Sequence, residues 1–302
     1  MLPLRKFLSR AASALALLLT PGLALADDHV AAMAQPAPAN APALWKLADA
    51  DTTIYMFGTV HVLPDGVEWM DRRITDAFAS ADQFVTEVDM RELEASRQMM
   101  VDAGMIQTGE TLRSMMTDEN RTEYEAAVTG LGLPAEALDP LEPWFASLNL
   151  SILPLMQAGY DPMSGVEMVF EAMSEGKERA ALETVAEQVA LFDGMEMAAQ
   201  LTMLDATVEA IPELTTLVNS MVEHWLAGDA DGLAEVMNAN MDDPALYQRL
   251  LVDRNAKWVD WIEQRLGEPG TVFMAVGAGH LAGEGSVQDL LAQRGLVAER
   301  VN

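Results

Sequence analysis

The chain has 302 residues, 47 acidic and 18 basic side chains, a net charge of −29 and no cysteine. Such acidity argues against nucleic acid and anionic lipid as partners, because both require a basic surface. The lack of cysteine excludes disulfides, a lipid anchor on a processed cysteine and a thiol nucleophile.

The N-terminus reads as an export signal. Arg5, Lys6 and Arg10 form its positive region, residues 11–19 its apolar stretch, and Ala24-Leu25-Ala26 a small-x-small cleavage motif. That stretch is shorter than the roughly 20 residues a membrane span requires. Cleavage after Ala26 leaves 302 − 26 = 276 residues and a charge of −29 − 3 = −32. The expected location is the periplasm, with no stable membrane insertion after the signal is removed. Residues 27–43, rich in Ala, Pro, Asn and Gln, read as a tether with nothing to pack. The remainder, 44–302, is expected to form a single domain.

Leu44 to Leu47, a turn at Asp49 to Asp51, and Thr52 to Phe57 read as a β-hairpin. Residues 68–80 place Trp69, Ile74, Ala77 and Phe78 on one helical face. Gln83 to Asp89 is a third strand, carrying the acids Glu87 and Asp89 at its end. From about 91 to 266 the pattern is helical, with a cap at Thr117 or Asp118 and punctuation by prolines such as Pro143 and Pro212. Within it, Ala180 to Thr184 is a short apolar run compatible with a strand. Gly228-Asp229-Ala230-Asp231-Gly232 lacks the further ligands of a calcium loop and reads as a helix connection. The end returns to strand 271–276, a glycine-rich turn at 277–285, a helix at 286–294 and a terminal strand at 296–301. The implied fold class is α/β (α+β): a mixed sheet built from both termini, with a large helical insertion over about 91–266.

Two strands far apart in sequence share their punctuation. Residues 52–61 end in Gly58-Thr59-Val60-His61, and residues 271–280 end in Gly277-Ala278-Gly279-His280. The chain has only four histidines. Each motif sets an imidazole just beyond a buried strand, at the carboxyl edge where open α/β sheets keep their sites. Two such rings and the Glu87 carboxylate make a common donor set for a catalytic divalent ion, which lowers the pKa of a bound water and polarises a carbonyl. The competing reading is a pair of strand-capping core histidines. Asp89 is a second carboxylate for either part. No His-Glu-x-x-His helix, Walker A loop or Gly-x-Ser-x-Gly elbow is present. His224 reads as a surface residue, and the 21 methionines as core fillers in place of leucine. His29 would be third in the mature chain, a spacing that wraps copper or nickel but carries little functional weight here.

Arg254 lies in a helical stretch whose apolar stripe should face the sheet. In so acidic a chain, an inward arginine is expected to pair with Glu87 or Glu183, or to hold a substrate oxyanion.

These stretches resemble the TraB/GumN family, whose animal relatives are the Tiki membrane proteases. The resemblance runs nearly the length of the mature chain. It rests on the two Gly-x-x-His motifs and Thr86-Glu87-Val88-Asp89, with Pro140-Leu141-Glu142-Pro143-Trp144, Gly165-Val166-Glu167, Leu182 to Gln188 and Arg254 to Trp258. It implies metal binding by His61, Glu87 and His280, and it makes Glu183, Arg254 and Asn255 candidates for the same cleft. Proteolysis is established for the Tiki branch alone. The expectation is a periplasmic metal-dependent hydrolase, a peptidase acting on a peptide or protein. Mn²⁺, Co²⁺ or Zn²⁺ would be the cofactor, Glu183 or Asp89 the proton acceptor, and Arg254 or Asn255 the oxyanion partner. The alternative from another class is a non-catalytic protein that sequesters a peptide, metal or haem ligand in that cleft.

Overall fold

The computed structural model describes residues 41–239 and 243–302. The expected export segment, most of the expected tether and His29 lie outside the described residues.

Strand β1 (Leu44–Ala48) turns back on β2 (Thr52–Thr59) as the expected hairpin, and Asp49 Oδ1 closes it by accepting from the backbone of Asp51 and Thr52. After β3 (Leu63–Pro64), helix α1 (Arg72–Ser80) starts later than the sequence suggests. Asp71 caps it by accepting from the Ile74 N–H at 3.0 Å, and this leaves Trp69 outside the helix and in the core. Strand β4 (Gln83–Thr86) follows, and then the helical middle: α2 (Leu93–Ala103), α3 (Asp118–Gly130) and α4 (Pro143–Gln157). Thr117 is the cap of α3. Next come β5 (Tyr160–Asp161), α5 (Val166–Met173), β6 (Glu178–Ala181), α6 (Val185–Asp193) and the 30-residue α7 (Met197–Leu226). Helices α8 (Ala230–Asn238) and α9 (Pro244–Tyr247) lead through a π-turn (Gln248–Val252) into α10 (Asp253–Arg265). Asp229 caps α8, so the Gly228 to Gly232 segment is a helix connection. Strand β7 (Gly270–Gly277), a 3₁₀ turn (Ala278–Leu281), α11 (Val287–Gln293) and β8 (Glu299–Arg300) complete the chain.

The main sheet has the order β6-β4-β7-β2-β1-β8. Its core, β6-β4-β7-β2, is parallel, and the N-terminal hairpin and β8 add an antiparallel edge. The two histidine strands, β2 and β7, are direct neighbours over their full length, from Thr52 opposite Gly270 to Thr59 opposite Gly277. The insertion is mainly helical, and the run compatible with a strand contributes β6, which lies two residues earlier than the sequence suggests and forms one edge of the sheet; β5, also within the insertion, pairs with β3 in a separate ribbon.

Both faces of the sheet are buried, which is why its parallel strands read as continuous apolar runs. On one face Phe57, Phe84 and Phe273 meet Phe78 of α1, Phe170 of α5 and Trp225 of α7. On the other, Met56, Val85 and Met274 meet Trp258 and Ile262 of α10 and Leu291 of α11. Helices α4 and α7 pack together with α3 in further apolar clusters. No helix among the described residues is long and apolar enough to cross a membrane.

Candidate active site at the carboxyl edge of the sheet

Parallel strands in register end at the same level, so residues just past their ends form a row. Here the row is Glu183 after β6, Glu87 after β4, His280 after β7 and His61 after β2. The β6–β4 pairing continues one step beyond the strands, with the Glu183 N–H donating to Glu87 O at 2.8 Å. Glycine permits the close approach of the two histidine turns. A Cβ on Gly58 would lie 2.9 Å from Ala278 Cα, inside the opposing Gly-x-x-His segment.

Helix α10 drives Arg254 into the middle of this row, where it is 3 % exposed. Its Nε donates to Glu183 Oε1 at 2.8 Å, and Nη2 donates to Glu87 Oε2 at 2.6 Å and Glu183 Oε2 at 2.9 Å. Its Nη1 donates to Leu250 O at 3.1 Å and to His280 Nε2 at 2.9 Å. A guanidinium has five N–H groups, and all five are engaged. Arg254 is thus the hub that holds Glu87, Glu183 and His280, with no donor to spare for a substrate oxyanion.

The tautomer of His280 follows from its neighbours. Asn255 Nδ2 donates to Gly285 O at 2.8 Å, so its Oδ1 faces His280 Nδ1, at 2.6 Å. Nδ1 therefore carries the proton and Nε2 the lone pair, which fits an arginine that can only donate. Asn255 orients His280 and does not face an open cleft. Burial, reinforced by Arg254, drives the His280 pKa down to about 3, so the ring is neutral at physiological pH. Burial raises the Glu87 pKa, but Arg254, the two histidines and the Gly277 N–H, which donates at 2.7 Å, outweigh it and hold it at about 2. Glu183 also accepts from Trp258 Nε1, and Gln188 bridges Glu183 and Glu87. Trp258 backs the cluster, its ring centroid 4.2 Å from that of His280.

His61 stands at the other end of the row, in a different setting. Its Nδ1 lies 2.5 Å from Glu167 Oε1, a carboxylate from α5 that also accepts from the Thr59 hydroxyl. Its Nε2 is out of solvent and has no hydrogen-bond partner among the described residues. Burial lowers the affinity of this ring for a proton, but Glu167, with help from Glu87, raises it more, and the net pKa lies above 6.5. Gly165 makes this contact possible: a Cβ there would meet His61 O at 2.4 Å, while the Val166 N–H ties α5 to Val60 O at 3.0 Å.

The structure thus gathers His61, Glu87, His280, Glu183, Arg254 and Asn255 at one edge. It leaves Asp89 apart. That carboxylate turns to Arg91, whose Nη2 is 2.6 Å away, and Arg91 lowers its pKa. His224 pairs with Asp229 at 2.9 Å near the surface. Glu167 and Gln188 are the members that residue-level reasoning passed over. The only signals for them were their places in Gly165-Val166-Glu167 and in the stretch 182–188. A cavity of about 390 Å³ touches the row at Glu183 alone, with Asp89, Ser96, Met99 and Thr184 also on its wall, and His61, Arg254 and His280 do not line it.

Two imidazoles and a carboxylate suit a divalent ion by type. Their arrangement does not. The His280 lone pair and Glu87 Oε2 already hold the Arg254 cation, Glu87 Oε1 holds a backbone N–H, and of the three expected donors only His61 Nε2 has no partner among the described residues. No group of three or more His, Asp or Glu side chains among the described residues is gathered to hold an ion.

The profile of the TraB/PrgY/gumN family matches residues 43–300, and the chain belongs to that family. An uncharacterized protein of Treponema pallidum (strain Nichols) is 21% identical over 269 residues, which cover 84% of this chain and 81% of the relative. The uncharacterized protein YbaP of Escherichia coli (strain K12) is 21% identical over 239 residues, 78% of this chain and 87% of the relative. No solved structure matches the chain.

Proposed function

We propose that this chain is a periplasmic hydrolase, a peptidase in the first instance, in which His61 and Glu167 activate water against an amide carbonyl. The observation that carries this reading is the buried, unpartnered Nε2 of a histidine whose Nδ1 is held by a carboxylate. A buried polar atom without a partner costs about 1–3 kcal/mol, a burden expected where a substrate completes the bonding. With Nδ1–H directed at Glu167, Nε2 carries the lone pair and takes a proton from water as the oxygen attacks the carbonyl carbon. Glu167 and Glu87 stabilise the imidazolium so formed. His61 then returns the proton to the leaving nitrogen as the C–N bond breaks. Arg254, Glu183, Asn255 and His280 position Glu87 and keep this edge rigid. The export signal, read from residues 1–26, supports the periplasmic location.

A rival within the same class gives His61 Nε2 to a divalent ion shared with Glu87 and His280, which would supply a more acidic water. The free Nε2 favours it, and the engaged His280 opposes it. A peptide library incubated with the purified mature protein tests the shared claim. Cleavage that disappears in His61→Ala supports hydrolysis. Stoichiometric retention of a peptide with no turnover would sink it and select a binding protein.

A further inference from the structure

We infer that Arg254 occupies the cation position of this site, so that the chain works without a resident divalent ion. The inference rests on the hydrolase reading and sharpens it. A divalent ion between these strand ends would draw on the lone pair of His280 Nε2 and on Glu87. Both are directed at one guanidinium, at 2.9 and 2.6 Å. That guanidinium cannot leave cheaply. It is fixed by two further bonds to Glu183 and one to Leu250 O, and it stacks 4.9 Å above the Trp258 ring centroid. It cannot lose its charge by deprotonation, as a lysine might. An ion entering beside it would meet a fixed like charge in a poorly solvated space, where repulsion is least screened. The Asn255 bond sets the tautomer that turns the His280 lone pair toward Arg254 rather than toward open space.

The test is metal binding, read without any substrate, so that its outcome is independent of whether hydrolysis is found. The mature wild-type chain is dialysed separately against Zn²⁺, Mn²⁺ and Co²⁺ at stoichiometric metal and moderate salt, which screens the many surface carboxylates. Wild type is expected to retain no more of each ion than the double variant His61→Ala, His280→Ala. Arg254→Ala, which uncovers both donors, is expected to gain about one equivalent per chain, and to lose it again when His280→Ala is added. Tight retention of about one equivalent by wild type, lost in the double variant, would overturn the inference. That arm needs no Arg254 variant to fold. A folded Arg254→Ala that stays empty would overturn it as well, since the guanidinium would then not be what excludes the ion.

Discussion

Replacing Arg254 by methionine, a side chain of similar length without charge, would remove the cation from between Glu87 and Glu183 and leave two buried carboxylates. The structure sets the scale. Glu87 is held at about 2 instead of 4.5, a difference of about 2.5 pKa units or roughly 3 kcal/mol in favour of its ionised form. Arg254 is the largest of the contributions that produce that depression. Without it, burial dominates and the folded-state pKa moves above 4.5. Deleting one partner of a buried pair typically costs about 3–5 kcal/mol, and that is the loss expected near neutral pH. In a domain of this size it corresponds to a fall of about 10 °C in Tm.

The sign of the pH dependence makes the prediction sharper. In wild type the depressed Glu87 pKa contributes stability that is present above 4.5 and lost as pH falls toward 2. In the variant, a raised pKa would impose a penalty that is fullest above that pKa and is relieved as pH falls and the carboxyl takes up its proton. The gap between the two proteins should therefore narrow by about 1.4 kcal/mol per pH unit for each carboxyl that must protonate. Urea unfolding followed by tryptophan fluorescence at about pH 7 and about pH 5 measures it, since Trp258 lies under the guanidinium. A loss below about 1 kcal/mol at neutral pH, or one that stays constant on acidification, would refute the claim that Arg254 is the electrostatic hub.

Three other outcomes are expected. His280, neutral in the fold with its pKa at about 3, contributes stability that is lost as pH falls from 6.5 toward 3, so wild type should weaken steeply in acid and His280→Gln should flatten that slope; unfolding midpoints between about pH 7 and 4 would show it. Gly165→Ala should dislodge His61, because the added Cβ would lie 2.4 Å from His61 O, and turnover should fall further than the roughly 1–3 kcal/mol of stability typical of overpacking. If His61 is the base, the acid limb of kcat/KM should lie above 6.5, and Glu167→Gln should move it to lower pH by removing the main group that raises the His61 pKa; an unmoved limb would exclude the dyad.

Local patterns revealed what local forces build. The two Gly-x-x-His strands, the hairpin closed by Asp49 and the buried Gln83 to Thr86 strand were legible because continuous apolar runs mark strands covered on both faces. Edges were harder. Strand β6 has no fully buried residue, so its place, Glu178–Ala181, was shifted from the apolar run at 180–184. The terminal strand is short, Glu299–Arg300, because only Trp45 and Lys46 of β1 are its partners. Long-range assembly was harder still. Thr59 and Glu167 are 108 positions apart, and Glu87 and Arg254 are 167 apart. No periodicity links such pairs. The inward stripe of α10 did foretell that Arg254 would meet a carboxylate, but not that it would meet two and a histidine together.

The row at the sheet edge divides into two halves that differ in kind. From Glu183 through Glu87 to His280, the Arg254 donors and the imidazole nitrogens are all paired, in a network completed by Asn255 and Gln188. From His61 to Glu167, the carboxylate holds one ring nitrogen and the Thr59 hydroxyl, and the other ring nitrogen has no partner among the described residues. A closed network resists rearrangement, because breaking any bond strands a buried charge or dipole. An open nitrogen completes its bonding when a reactant arrives. Substitutions in the first half should therefore be read mainly in stability, and those in the second mainly in turnover. Gly58 serves the joint between them: without a Cβ there, the His280 turn can lie against the His61 strand and set the rigid half beside the reactive one.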